Sequence, residues 1–390
     1  MAGDDRPHVL VAGGGVAGVE TVLAIQSLAE DRMRVELLAP DRHFSHRPLS
    51  VTEPFTPEPP QRIPLASIAA DRGIVLHRDA VARVDPDARV VETQDRAWLQ
   101  FDVLVLALGA RPVEAVRGAL TFRGSRDAHR VREIVDGLRE GVIRRVAFVV
   151  PPDTSWSLPV YELALQTAHA VPAAELHVVT AEPSPVAAFG PDAGAEVARL
   201  LSARGIALHA GTTAEEHADG GLSLATGASL AVDRTIALPR LAGPRVPGAP
   251  ADPLGFVPVD DYTRALGADA LHAVGDVAWH PLKQGGLAAQ QADAAAESIA
   301  ADAGADVSPS PFHPVLRGVL LTGRGRQWIR RDLTGGDEGE AERHALWWPP
   351  TKVAGRYLAP YLARRDELEY SDAERPAGRL IEFTVEGHGR

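Results

Sequence analysis

Three glycines, Gly13, Gly15 and Gly18, give the run Gly13-Gly14-Gly15-Val16-Ala17-Gly18 a G-x-G-x-x-G spacing. One glycine permits a tight turn, one lets the backbone approach a pyrophosphate, and one lets a helix pack closely on a strand. A helix that starts at Val16 and Ala17 then turns its positive end and free N–H groups toward the phosphates. That is dinucleotide-binding chemistry. The acidic ribose partner expected at the end of the next strand is replaced by Pro40, so Asp41, one residue on, is the candidate. Far along the chain Gly275-Asp276 closes a short apolar run, and Lys283, Gln290 and Gln291 follow it. His43 and His46 flank the segment leading to Arg47, but no carboxylate or third histidine completes a metal site there. Cysteine is absent, which excludes a disulfide framework, a zinc-thiolate site, an iron–sulfur cluster and a redox dithiol.

These residues need elements to hold them. An apolar run at 8–12 feeds the glycine turn, residues 16–28 carry apolar positions at helical spacing, and 34–39 reads as the second strand of a βαβ unit. The proline-rich stretch 53–64 reads as an ordered surface loop. Runs at 74–77, 80–84, 88–92 and 98–100 suggest a small antiparallel meander, ending in a buried strand over 101–108. A second βαβ pattern follows, with strands at 145–150, 175–180 and 206–209 and helices at 160–170 and 193–204. Prolines and glycines dominate 239–253, as in a crossover between domains. A strand at 271–274 and an Ala-rich helix at 286–301 complete the pattern, and the tail from about Pro309 reads as a third, smaller domain.

The 390 residues exceed one ordinary core, and 45% hydrophobic with 24% charged residues is the balance of a soluble globular protein. A formal net charge of −12 with no long basic run argues against nucleic acid as a partner. Residues 1–15 lack the regions of a secretory signal and no stretch reaches the roughly 20 apolar residues of a membrane span, so the expectation is cytoplasmic.

Three motifs in order, at 13–18 with Glu20 following, at 101–112, and at 271–276, resemble those of the two-dinucleotide-binding-domain flavoproteins, the pyridine nucleotide–disulfide oxidoreductase superfamily. The resemblance spans about Val9 to Ala301. It implies an α/β fold with two Rossmann-like doubly wound domains, the second inserted in the first, plus a small C-terminal domain. The implied boundaries are 1–116 and 247–305 for the FAD-binding domain, 117–246 for the second domain and 306–390 for the third. It implies FAD as cofactor, held by Gly13, Gly15, Val16, Ala17 and Gly18, with Asp276 of the Gly275-Asp276 pair on the ribityl chain. Asp41, Arg47, Gly109, Arg111 and Leu287 join the set by family position, while Leu108 stands where the family often has Thr. The helix after Lys283 is implied to point its N-terminus at the flavin's pyrimidine edge, where a positive end stabilises the reduced, anionic ring. Lys283 adds a charge there or is a surface lysine.

In that family the second βαβ unit holds a nicotinamide, but its turn here, 151–159, contains no glycine and two adjacent prolines, Pro151 and Pro152, with Trp156 nearby. Glu182, placed like a ribose-binding acid, keeps the nucleotide alternative open. The closed turn resembles that of sulfide:quinone oxidoreductases, whose cysteines this chain lacks. Type II NADH dehydrogenases are also similar, and their quinone-side glutamines make Gln290 and Gln291 candidates. Val353, Tyr357 and Tyr361 recur every four residues among Lys352, Arg356, Arg364 and Arg365, a pattern that suits packing on the FAD domain, a lid, or peripheral contact with the inner face of a membrane. The expected function is an FAD-dependent oxidoreductase passing electrons from a small donor to a quinone-like or other small acceptor without a cysteine relay, with Lys283 and Gln290 as catalytic candidates. An NAD(P)H-dependent reductase with atypical nucleotide binding and a flavin-binding protein with lost or regulatory redox activity are the alternatives, and a homodimer stays open.

Overall fold

The computed structural model describes residues 6–57, 62–216, 221–335, 339–365 and 381–382. The chain begins with β1 (His8–Ala12), buried at every position, as a central parallel strand covered on both faces must be. It enters α1 (Val16–Ala29), then β2 (Arg34–Leu38) beside β1. Helix α2 (Leu65–Arg72) leads to β3 (Val75–His77), and β4 (Val103–Leu106) returns to the other side of β1.

The second unit contains β5 (Leu120–Thr121), α3 (Ala128–Arg139), β6 (Arg145–Val150), α4 (Leu158–Ala170), β7 (Glu175–Thr180), α5 (Pro191–Ser202), β8 (Ala207–His209) and β9 (Arg234–Ala237). Its five strands are parallel, in the order β5-β9-β6-β7-β8. The chain then returns to the first sheet with β10 (Leu271–Ala273), giving the order β10-β4-β1-β2-β3. In both sheets the strand that precedes the turn, β1 or β6, lies at the point where the winding reverses, which is where ligands bind in such sheets. The α/β class with two Rossmann-like units is therefore present. Helix α6 (Gly285–Asp302) packs on α1 through small side chains. A Cβ on Gly275, in the turn between β10 and α6, would lie 3.0 Å from the Ala17 methyl and 3.4 Å from that of Ala288.

The remaining chain forms an antiparallel sheet of β11 (Val315–Leu321), β12 (Arg326–Asp332) and β13 (Glu340–Glu342), and then α7 (Leu358–Arg365) against α1. One expectation fails: residues 74–77 are not part of the meander. Val75 pairs with Glu36 in parallel register, and His77 Nε2 lies 2.6 Å from Glu36 Oε2, which ties β3 into the first sheet. The meander has three strands, Val81–Asp85, Val90–Thr93 and Trp98–Gln100. The proline-rich stretch ends not as loop but as a short strand, Ile63–Pro64, paired with His43–Phe44; residues 58–61 lie outside the described residues.

Candidate functional site

The glycine turn follows β1 directly, and its three glycines meet different surroundings. Gly13 has φ +125°, and a Cβ there would strike the Ala107 carbonyl at 2.2 Å. A Cβ on Gly18 would come within 1.8 Å of the Gly13 carbonyl. Both positions are closed by the chain itself. Gly15 is different: a Cβ there meets nothing within 4 Å, so this part of the turn faces open space. Among the described residues no acceptor takes the N–H of Gly15, Val16 or Ala17, while the Gly13 N–H is spent on Leu38 O at 2.8 Å. A ring of unspent donors at a helix start around a vacant glycine face is the arrangement that receives a pyrophosphate.

Across the turn, β10 runs into Gly275, whose φ is +74° and whose N–H donates to Gln291 Oε1 at 2.8 Å. Gln291 thus fixes the backbone that presents Asp276. The Asp276 carboxylate has no hydrogen bond within the described residues. Burial pushes its pKa up, opposed by the charges of Lys283 and then Arg47. Lys283 is buried, its Nζ donates to Ala278 O, and it stands 4.1 Å from the Phe256 ring centroid. Burial lowers its pKa to about 8, against the pull of Asp276. Lys283 is no surface lysine.

The N-terminus of α6 is capped by Gln284, whose Oε1 accepts the Leu287 N–H at 2.9 Å and whose Nε2 donates to Arg317 O at 2.7 Å. Leu287 is buried and its N–H is taken, which leaves Gly285 and Gly286 as the donors at this end. Gln290 does not face the helix mouth. Its Nε2 donates to Val315 O at 3.0 Å and its Oε1 accepts from Val315 N at 2.9 Å, latching α6 to β11. Gly109, at φ +71°, also opens on empty space, whereas Arg111 Nε donates to Gly243 O at 3.2 Å and braces the crossover between the two sheets. Asp41 and Arg47 are exposed, Asp41 just beyond β2 and Arg47 at the start of the turn Arg47–Thr52.

A second constellation escaped sequence reasoning. The Glu162 carboxylate of α4 and the Lys352 ammonium form an ion pair with side-chain exposures of 1% and 8%, and Glu162 Oε1 also accepts the Leu321 N–H at 2.9 Å. Burial pushes the carboxyl up and the ammonium down, each opposed by the other's charge. His46 lies in the same electrostatic neighbourhood. Burial and then Lys352 lower its pKa to about 4, so the ring is neutral, and its Nε2 is buried with no partner within the described residues. Val353 and Pro48 close on Gly285, whose Cβ would lie 3.0 Å from Val353 Cγ2. The signal for Glu162 was present as a lone acid in the apolar run Leu158–Ala170.

The C-terminal stripe is core. Val353, Tyr357 and Tyr361 are buried, Arg356 reaches Glu297 at 3.1 Å and Tyr361 Oη donates to Asp71 at 2.7 Å. Among the described residues no helix is long and apolar enough to cross a membrane. The start of α7 is held by Glu20, whose carboxylate accepts the Tyr357 N–H at 2.8 Å and the Leu358 N–H at 2.6 Å. Burial raises Glu20 to about 7, and burial together with the Glu20 charge raises Asp293 well above its ordinary value. The folded chain therefore binds a proton at Glu20 that the unfolded chain has lost above 4.5. Stability from this group falls as pH rises from 4.5 to about 7. Urea unfolding should show wild type losing ground to Glu20→Gln across that window, and a constant difference between them would refute the pairing.

In the second unit, Glu182 does not face a ribose. Its carboxylate accepts from Ser157 Oγ at 3.0 Å, Tyr161 Oη at 2.7 Å and Ala187 N at 3.1 Å.

Fold and glycine turn together define a protein of two Rossmann-like, dinucleotide-binding units. The chain belongs to the family described as Pyridine nucleotide-disulphide oxidoreductase, whose sequence profile matches residues 7–297. It is similar to an NADH dehydrogenase-like protein of Mycobacterium tuberculosis, 27% identical over 234 residues, 56% of this chain and 58% of that protein. It also resembles the sulfide-quinone reductase of Aquifex aeolicus, 29% identical over 122 residues, 28% of this chain and 26% of the relative. The chain thus spans little more than half of one curated relative and about a quarter of the other. Among solved structures, the sulfide:quinone oxidoreductase of Aquifex aeolicus superposes with a TM-score of 0.78 at 20% identity, over 87% of each chain. A ferredoxin reductase of Rhodopseudomonas palustris gives 0.68 at 20% identity, over 85% of this chain and 84% of that one. At these identities the likeness concerns the fold.

Proposed function

We propose that this protein passes electrons through bound FAD to a quinone-like or other small acceptor, without a cysteine relay. The observation that carries this reading is the pairing, across one mouth, of the open Gly15 face and its unspent N–H groups with the unpartnered Asp276 carboxylate. When bound, FAD supplies the two-electron chemistry. The residues around it bind, orient and balance charge. Gly15, Val16 and Ala17 receive the pyrophosphate, Asp276 takes a sugar-chain hydroxyl, and Gln291 holds the Gly275 turn in place. The Gly285 and Gly286 N–H groups, at the positive end of an 18-residue helix, stabilise negative charge at that edge. The Lys283 charge opposes the rise that burial imposes on the Asp276 carboxyl. With no cysteine in the chain, no thiol relay would stand between the cofactor and its small partners. The name of the Aquifex relative, a sulfide-quinone reductase, supports a quinone as acceptor.

Two measurements test this. Asp276→Ala should weaken FAD binding about tenfold or more, the cost of a hydrogen bond to a charged group, read as flavin retained after gel filtration. Flavin photoreduced anaerobically in the wild-type protein should be reoxidised by a short-chain benzoquinone at a rate that saturates with quinone concentration. A rate that stays linear would overturn the acceptor reading.

A further inference from the structure

The turn after β6 occupies the place where a Rossmann unit takes its dinucleotide, yet it is glycine-free and its cleft is filled by its own side chains. Pro151 and Pro152 offer no N–H, and Thr154 Oγ1 donates to Pro151 O at 2.7 Å, locking the turn on itself. Helix α4 starts with a proline in its first turn, so the helix end that would meet a pyrophosphate has lost a donor. The Trp156 ring packs on Phe189 with centroids 5.5 Å apart, and Leu282, from the segment before α6, lines the same cleft. Between Trp156, Leu282 and Glu182 the cleft retains about 20 Å³, room for one water molecule. Glu182, the only acid lining that cleft among the described residues, accepts from Ser157, Tyr161 and Ala187, with Thr180 Oγ1 a fourth donor at 3.3 Å. A carboxylate offers about four acceptor sites. None remains for a ribose.

A loop that had merely lost its ligand would leave an open cleft and a carboxylate facing water. This loop instead reaches toward the other site. The Ser155 carbonyl accepts the Lys283 N–H at 3.2 Å, next to Leu282, whose side chain is seated in the closed cleft. Lys283 turns from that anchor onto Ala278 O and the Phe256 ring, beside Asp276.

We infer that the second dinucleotide pocket has been rebuilt as a strut: Trp156 fills the nucleotide's space and excludes nicotinamide dinucleotides, and with Ser155 it positions Lys283 at the flavin carboxylate Asp276. The strut half rests on the flavin reading above; the exclusion does not. Trp156 is thus a specificity-determining and positioning residue rather than a catalytic one.

Calorimetric titration of ADP-ribose, and of NADH, into the protein both as purified and after removal of flavin tests the exclusion. No saturable heat is expected up to roughly 1 mM, the upper range of ordinary enzyme affinities. Micromolar binding in either form would overturn it. If the purified protein neither carries nor takes up FAD, the flavin reading fails while the ADP-ribose result stands unaffected. The strut is tested by the pH dependence of the bound flavin's midpoint potential. Trp156→Ala should move the inflection due to Lys283 upward from about 8, because a loosened segment lets water reach the ammonium, whereas Trp156→Phe should retain the wild-type profile. A Trp156→Ala protein with an unchanged profile and undiminished flavin would sink the strut, and flavin loss from folded Trp156→Ala protein would support it.

Discussion

Gly15→Val should give a folded protein that has lost its flavin. The substituted side chain enters the open face of the turn and meets no chain atom within 4 Å at Cβ, so strands and helices keep their packing. What it removes is the backbone's close approach to the pyrophosphate. A loss of at least about a hundredfold in FAD affinity is expected, about 2.7 kcal/mol, with the far-ultraviolet circular dichroism unchanged. Gly18→Val is the contrast: its Cβ would collide with the Gly13 carbonyl, so fold and flavin should fail together. Stoichiometric flavin in Gly15→Val would remove the cradle from consideration.

Lys352→Met should be among the most destabilising single changes available in the chain. It leaves Glu162 fully buried with one backbone N–H as its remaining partner. Breaking a buried ion pair from one side costs about 3–5 kcal/mol. Replacing both members by apolar residues, Glu162→Leu with Lys352→Met, should recover much of that loss, since burial of the pair itself is a desolvation cost. Urea midpoints of the two singles and the double measure the coupling. A Lys352→Met variant as stable as wild type would show that the C-terminal segment does not seat on α4.

What was legible in the chain was local. The glycine spacing at 13–18 identifies its own turn because strand, turn and helix are contiguous, and Gly275-Asp276 announces itself beside a short apolar strand. Residues 145–150 and 175–180 read as strands because continuous apolar runs of that length are what fully buried parallel strands require. The failures were long-range. A three-residue strand such as Val75–His77 carries no trace of whether its neighbour is Glu36 or the meander, since both pairings accept a half-buried alternation. Helical spacing places Gln290 and Gln291 on different faces of α6, but only the packed structure says that one latches β11 and the other holds Gly275. Glu162 and Lys352 lie 190 positions apart, and a lone acid in an apolar helix announces a partner without naming it. Glu182 was misleading for a similar reason, because its position after β7 is that of a ribose acid while its hydrogen bonds run inward.

The clasp of Glu20 on the start of α7 joins residues 337 positions apart, and β10 closes the first sheet only after the second unit has been completed. During translation the glycine turn emerges before the second unit, yet its sheet lacks one edge until residues 271–273 follow, and Glu20 lacks both N–H partners until residues 357 and 358 leave the ribosome. Domains that fold as they emerge do so from the N-terminus, but here the second Rossmann unit is the contiguous one and can fold first. On the flavin reading, cofactor loading then waits until residues 271–276 have been made and have joined the glycine turn across the finished sheet.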